Sequence, residues 1–271
     1  MSDLNLPLLI EPEALQPLLG SENLLVIDLS RASTHSQAHI PGAIFLDYGR
    51  IVAMKKPVMG LLPSEDELTT LFSALGIDGE THVVAYDDEG GGKAGRLVWT
   101  LEVMGHERAS LLNGGLHAWA NEGFPITQEL TEPTPGNFEP DPTDLPVADT
   151  NYILQKLNAP DVALLDARSP EEYNGTKRFA EKGGHIPGAV NMDWIRAMDQ
   201  GRNLRMRPAD ELKKELEEMG VTPDKEVITY CQTHHRSSYT YVVLKALGYT
   251  RVRGYPGSWS AWGNHESTPV V

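Results

Sequence analysis

The sequence predicts an α/β protein of two tandem domains, each a parallel β-sheet flanked by α-helices. Three observations predict it: a collinear internal repeat, short apolar runs alternating with helical patterns, and a proline-rich stretch between the copies. The repeat carries most weight, because self-similarity at a fixed spacing marks a duplicated unit. His39–Ala43 and His185–Ala189 both read HIPGA, 146 residues apart. Leu25–Asp28 returns as Ala163–Asp166 at an offset of 138, so the second copy carries eight more residues before its HIPGA. Val83–Tyr86 returns as Val227–Tyr230 at 144, and Gly105 and Trp119 return as Gly248 and Trp262 at 143.

Each element follows from local pattern. Val162–Leu165 and Val227–Tyr230 are short, apolar and partly β-branched, as buried parallel strands are. Their counterparts Leu25–Asp28 and Val83–Tyr86 play that part in the first copy. Ile126–Pro146 carries Pro133, Pro135, Pro140, Pro142 and Pro146. Proline removes a donor and fixes φ, so this stretch is neither a helix nor a central strand. The expected division is therefore 1–125, a linker at 126–146, and 147–271. Between the strands of the second copy, Pro208–Gly220 sets Leu212, Leu216 and Met219 on one helical face, with Pro at the start and Gly at the stop. After residue 236, Tyr239, Val242, Val243, Ala246 and Leu247 suit an amphipathic helix ended by Gly248. Strand–helix alternation of this kind gives parallel sheets with crossover helices. Ligands of such sheets bind outside the carboxyl ends of the strands.

Composition removes several function classes. The 271 residues suit one large or two ordinary domains, at roughly 100–200 residues each. A net charge of -15 makes a poor nucleic-acid binder and is repelled by anionic membranes. No run approaches the ~18 apolar residues of a membrane span. The first fifteen residues lack the basic and apolar regions of a secretory signal. One cysteine excludes an internal disulfide framework and any multi-thiolate metal site. The expected compartment is the cytoplasm, where a lone thiol stays reduced.

That cysteine, Cys231, directly follows the strand Val227–Tyr230. The loop runs Gln232, Thr233, His234, His235, Arg236, and a helix begins near Ser237 or Ser238. A thiolate is the nucleophilic form of cysteine, and a helix N-terminus or nearby cation lowers its pKa. Successive loop N–H groups can curl into an anion-binding nest, and Arg236 adds a permanent charge with a planar fork of donors. Free cysteines are often buried small hydrophobes, but such a cysteine belongs within an apolar run, not at the polar turn after it. The first copy supplies a control. Asp87 stands where Cys231 stands, followed by Asp88 and Glu89. A carboxylate cannot take and release a soft sulfur atom, so the first copy is expected to be inert. Its glycines lack the spacing of a P-loop.

The two HIPGA segments, the run Asp166–Tyr173 (DARSPEEY), the Cys231 loop and the closing Gly254–Trp262 (GYPGSWSAW) together resemble the tandem-domain rhodaneses, over nearly the whole chain. The resemblance implies two rhodanese-like domains of which only the second is catalytic. It implies a ping-pong sulfurtransferase whose mechanism needs only stabilisation of negative charge, so neither metal nor cofactor is expected. Cys231 attacks the outer sulfur of thiosulfate or a related small anionic donor, sulfite leaves, and cyanide or a thiol takes the sulfur from a Cys231 persulfide. It also implies a basic substrate-binding residue in the longer segment before the second HIPGA, for which Arg178 is the candidate. The chain departs from the family where thiosulfate-specific members carry two basic residues after the Cys and mercaptopyruvate-specific members carry Gly; here Gln232 and Thr233 follow. Ala261 replaces a usual acid.

Gln232, Thr233, His234, His235 and Arg236 are thus the expected substrate-binding loop. One histidine can line the mouth; adjacent histidines rarely chelate one metal. Asp166 and Arg168 are expected to form a strand-end ion pair. His39 and His185 occur in both copies and so are read as structural, and Trp194 and Trp259 as core aromatics before pocket walls. Competing readings are a persulfide carrier serving a protein acceptor, a 3-mercaptopyruvate sulfurtransferase, and a cysteine phosphatase. Four residues separate Cys231 from Arg236, whereas such phosphatases have five. A monomer is expected, since the duplication supplies a two-domain contact. Residues 1–140 hold 7 Lys/Arg and 20 Asp/Glu, and residues 141–271 hold 16 and 18. The negative charge belongs to the copy expected to be inert, while the other concentrates Arg196, Arg202, Arg205 and Arg207.

Overall fold

The computed structural model describes residues 4–271, so Met1–Asp3 of the expected first domain lie outside it. The elements of the first half are β1 (Leu9–Ile10), α1 (Pro12–Leu15), β2 (Leu24–Asp28), α2 (Ala32–Gln37), β3 (Ile44–Phe45), β4 (Ala53–Lys55), β5 (Val58–Leu61), α3 (Glu65–Leu75), β6 (His82–Tyr86), α4 (Gly92–Val103), β7 (Ala109–Leu112) and α5 (Gly115–Asn121). The second half adds α6 (Thr150–Lys156), β8 (Val162–Asp166), α7 (Pro170–Tyr173), β9 (Val190–Asn191), β10 (Met198–Asp199), β11 (Arg205–Met206), α8 (Ala209–Glu218), β12 (Glu226–Tyr230), α9 (Arg236–Ala246), β13 (Val252–Gly254) and α10 (Ser258–Trp262). Short 3-10 turns fill several of the gaps.

The chain divides into two units whose boundaries interleave in sequence. The first comprises the chain up to Ile51, Pro63–Thr143 and Asp199–Arg205; the second comprises Val52–Leu62, Asp144–Met198 and Met206–Val271. Thus the β4–β5 hairpin, encoded in the first repeat, belongs to the second unit. Asp199–Arg205, encoded in the second repeat, belongs to the first. There Arg205 pairs with Glu11 and Glu122 and lies 2.8 Å from Glu13. In the second unit Arg196 and Arg207 both pair with Glu215. Three of the four arginines that sequence concentrates near the second copy are therefore already neutralised by acids.

The first unit holds a sheet in the order β1–β7–β6–β2–β3, and the second a sheet in the order β13–β12–β8–β9. All pairings within both are parallel. β6 and β12 lie inside their sheets and are buried at every residue, which is why their middles, Val83–Ala85 and Val227–Ile228, are apolar on both faces. Around β6 the core packs Val26, Val84, Leu112 and Trp119; around β12 it packs Leu164, Ile228, Trp259 and Trp262. Helix ends follow local chemistry. Ser64 and Glu67 form a reciprocal capping box on α3, which stops at Gly76 in the left-handed conformation. α8 runs from Ala209 to Glu218 and buries Leu212 and Leu216. α9 departs from the amphipathic expectation. Residues Ser237–Leu244 are buried in succession, and the helix packs against β12, β13 and the turn at Trp194–Ala197. Within 126–146 no helix and no named strand forms; Thr127 makes a single bridge to His39.

Candidate active site

β12 delivers Cys231 to the carboxyl edge of the second sheet. The sulfur-bearing residue is fully buried, and α9 starts five residues later at Arg236. The Thr233 N–H, the Ser237 N–H and the Ser237 hydroxyl all point hydrogen bonds at the thiol. Burial pushes the Cys231 thiol up, but the Arg236 guanidinium and these donors outweigh it and bring the pKa from 9.0 down to about 7. A thiol so placed is substantially thiolate at neutral pH. The backbone of the loop therefore forms the anion nest that its sequence position suggests.

Arg236 faces two ways. Its Nη1 and Nη2 donate to Glu172 Oε2 and Oε1 at 2.6 and 2.8 Å, a bidentate pair that fixes the guanidinium plane. Glu172 itself is 3 % exposed. Burial raises its carboxyl, and Arg236 overcomes this and holds it below the ordinary carboxylate range. Glu172 is the third helical residue of α7, whose Ser169 forms a capping box with it. That box is legible in the sequence as a helix start; its second role, 64 residues away on Arg236, is not.

Ser258 is the other residue that sequence reasoning passes over. Its hydroxyl accepts the N–H of Cys231 at 3.2 Å and of His234 at 3.0 Å, and donates to the Tyr255 carbonyl at 2.7 Å. One side chain thus holds both ends of the tight part of the loop. Ser258 has φ +47°, a left-handed conformation that costs a non-glycine residue about 1–2 kcal/mol. The matched residue of the first repeat is Gly115, at φ +53°. A strained serine stands where glycine would be free of strain, and its hydroxyl is spent on the Cys231 loop.

The remaining candidates separate. His234 is buried at φ +52°, with Nδ1 2.8 Å from the Ser237 hydroxyl. It is part of the loop's packing and not of the mouth. His235 is half-buried, its ring 6.0 Å from that of Trp194. Gln232 donates to the Phe179 carbonyl at 3.3 Å and accepts the Ser260 N–H on its own carbonyl at 3.0 Å. Arg178 donates to the Glu181 carbonyl and borders a surface cavity with Asn174, Lys182 and Val271. The neighbouring residue Phe179 takes the Gln232 side-chain hydrogen bond on its carbonyl. Asp166 and Arg168 do pair, with the guanidinium over the Trp259 ring at 4.3 Å. Trp259 is accordingly core. His185 stacks on Tyr173 at 3.6 Å, and His39 bonds the His35 and Glu129 carbonyls; both are structural, as their occurrence in both copies suggests.

The matching loop of the first unit is filled by its own side chain. Asp87 is fully buried. Its Oδ1 accepts the N–H of Glu89 at 3.0 Å and of Gly91 at 2.8 Å, and its Oδ2 that of Ala94 at 3.0 Å. The same kind of nest closes on a carboxylate fixed to the chain.

Comparison with known proteins agrees with this geometry. The rhodanese-like domain family matches residues 11–122 and again 149–265. A thiosulfate sulfurtransferase of Azotobacter vinelandii is 51 % identical over 98 % of this chain and 97 % of its own. One of Pseudomonas aeruginosa is 50 % identical over the same shares. A sulfur carrier protein, TtuD, of Thermus thermophilus is 36 % identical over 88 % of this chain and 87 % of its own. Among the described residues no helix is long and apolar enough to cross a membrane.

Proposed function

The chain belongs to the rhodanese family, carrying the rhodanese-like domain twice, and we propose that Cys231 of its second copy moves the outer sulfur of thiosulfate to a nucleophilic acceptor. One observation carries the reading: a buried thiol at the end of β12, in a loop closed by the Glu172-paired Arg236 and held by Ser258, in a chain half identical to thiosulfate sulfurtransferases.

The chemistry follows from the loop. The Cys231 thiolate attacks the outer sulfur of thiosulfate. The new Sγ–S bond forms as the bond to the oxidised sulfur breaks, and sulfite leaves with the bonding pair. The product is a Cys231 persulfide with its charge on the terminal sulfur. Cyanide, or a thiolate, then attacks that sulfur and regenerates the thiolate. No proton moves in the first step, so no general acid is needed. What the step requires is stabilisation of spreading negative charge. The Thr233 and Ser237 N–H groups and Arg236 supply it, with Glu172 keeping the guanidinium in place. Gln232 and His235 flank the loop as substrate contacts in this reading, His234 shapes it, and Arg178 acts only at a distance.

A second reading shares the same persulfide and differs in its acceptor. Likeness to a sulfur carrier protein supports delivery to a protein thiol. The chain works in this proposal as a cytoplasmic monomer, a reading supported by its lone reduced thiol and its internal duplication. Intact mass after exposure to thiosulfate tests the core of it. A gain of one sulfur atom is expected, reversed by cyanide and absent in Cys231→Ala. A folded protein that gains nothing would sink the proposal, as would Cys231-dependent turnover of an aryl phosphate in its place.

A further inference from the structure

The second unit contains eleven residues, Val52–Leu62, that the first repeat encodes. They pair as an antiparallel hairpin, and its second strand lies on the Cys231 loop. Gly60 has φ +76°, and a β-carbon there would stand 2.2 Å from the Thr233 carbonyl oxygen and 2.8 Å from the Thr233 Cα. The obstacle is backbone, so no side-chain rotation relieves it. Next to it, Ser260 accepts the Met59 N–H at 2.9 Å and reaches the Met59 carbonyl at 3.0 Å with its hydroxyl. The Ser260 N–H in turn donates to the Gln232 carbonyl at 3.0 Å. Hairpin, Ser260, Gln232 and Thr233 are thus one contiguous stack of backbone, ending on the residue whose N–H meets the Cys231 sulfur.

We propose that this hairpin is a positioning element of the active site: Gly60 and Ser260 fix the Gln232–Thr233 backbone so that the Thr233 N–H faces the reacting sulfur. Ser258 holds the loop from one side and the hairpin from another. A nest of three donors, two from Ser237 and one from Thr233, on a loop of four intervening residues has little tolerance for a shifted peptide, because a donor that rotates away ceases to stabilise the anion. The proposal also gives the catalytically silent repeat a task. It lends the working copy the strand against which the loop is set. The inference rests on Cys231 being the sulfur-bearing nucleophile.

The test reads the thiolate without any sulfur substrate, through the pH dependence of iodoacetamide alkylation of Cys231. Arg236 with Glu172, Asp166 with Arg168, His234, His235 and Asp193 are charged and titratable groups about the loop, and both substitutions leave these residues in place. Gly60→Ala is expected to raise the alkylation midpoint by about one pH unit and to cut sulfur transfer about tenfold, with far-ultraviolet dichroism retained. Ser260→Ala, which removes a hydroxyl and adds no bulk, is expected to shift both in the same direction by about a third as much. A folded Gly60→Ala protein with the wild-type midpoint and wild-type turnover overturns the proposal. If Gly60→Ala does not fold, an unchanged midpoint in Ser260→Ala overturns it alone. Because alkylation needs no donor, a wild-type protein that fails to take sulfur from thiosulfate would defeat the functional reading and still leave this result interpretable.

Discussion

In the first repeat the Tyr86 hydroxyl accepts the Ile40 N–H, and Trp119 donates to the Pro125 carbonyl. In the second the Tyr230 hydroxyl accepts the Ile186 N–H, and Trp262 donates to the Pro269 carbonyl. Leu116 N–H bonds the Asp87 carbonyl as Trp259 N–H bonds that of Cys231, both at 2.9 Å. The scaffolds agree to individual hydrogen bonds, and the loops they hold do not. Asp87 fills its own nest, whereas the Cys231 nest surrounds a thiol that, in the proposed reaction, takes up a sulfur atom and hands it on. Within the strand-end pairs the acids also diverge. Asp28 bonds His35 at 2.7 Å, while Asp166 bonds Arg168. The frame is shared by both copies, and the differences gather in a few side chains at the strand ends.

The comparison can be broken most severely at Cys231. Cys231→Ala should abolish sulfur transfer and persulfide formation and leave the thermal midpoint within the reach of an ordinary core change; retained turnover would move the chemistry elsewhere. Next comes Arg236→Ala, which removes a fixed cation and strands a buried Glu172. Turnover should fall on the order of 100-fold, stability by about 3–5 kcal/mol, and the alkylation midpoint should rise; chemical denaturation and alkylation rates measure them. Third, the pH profile separates the repeats. Below about 7 the thiol gains its proton, so the rate of sulfur uptake should drop about tenfold per unit and plateau above it. Fourth, Asp87→Ala should leave turnover intact and destabilise by about 1–3 kcal/mol for each of the two buried N–H groups, of Gly91 and Ala94, left without an acceptor. Smallest is the matched pair Tyr86→Phe and Tyr230→Phe. Each should cost about 1 kcal/mol; strongly unequal losses would deny that the scaffolds are equivalent.

The sequence made the duplication, the strand ends and the position of Cys231 legible, because each is written in contiguous residues. Asp87 as an inert substitute for Cys231 needed only the alignment of one copy on the other. Other parts depend on residues far apart. Met59 and Ser260 stand 201 positions apart, and nothing in β5 marks it as a neighbour of the Cys231 loop. Glu172 reads as a helix cap and also holds Arg236. Ser258 reads as a small residue in a turn, and its strain appears only with φ in hand. The contact of Arg178 with the Glu181 carbonyl is equally unmarked in the sequence. The run of arginines after residue 195 misleads, since charge counted along a chain says nothing of which acids lie across from it.

The carboxylate of Asp87 gives the molecule an internal picture of an occupied receptor. A bound anion is tethered there for good, at full local concentration and with no off-rate. Transplanting it offers a way to make a silent protein without emptying the pocket: Cys231→Asp would be a self-saturated copy, in which Arg236 and the loop amides are engaged and no donor can compete.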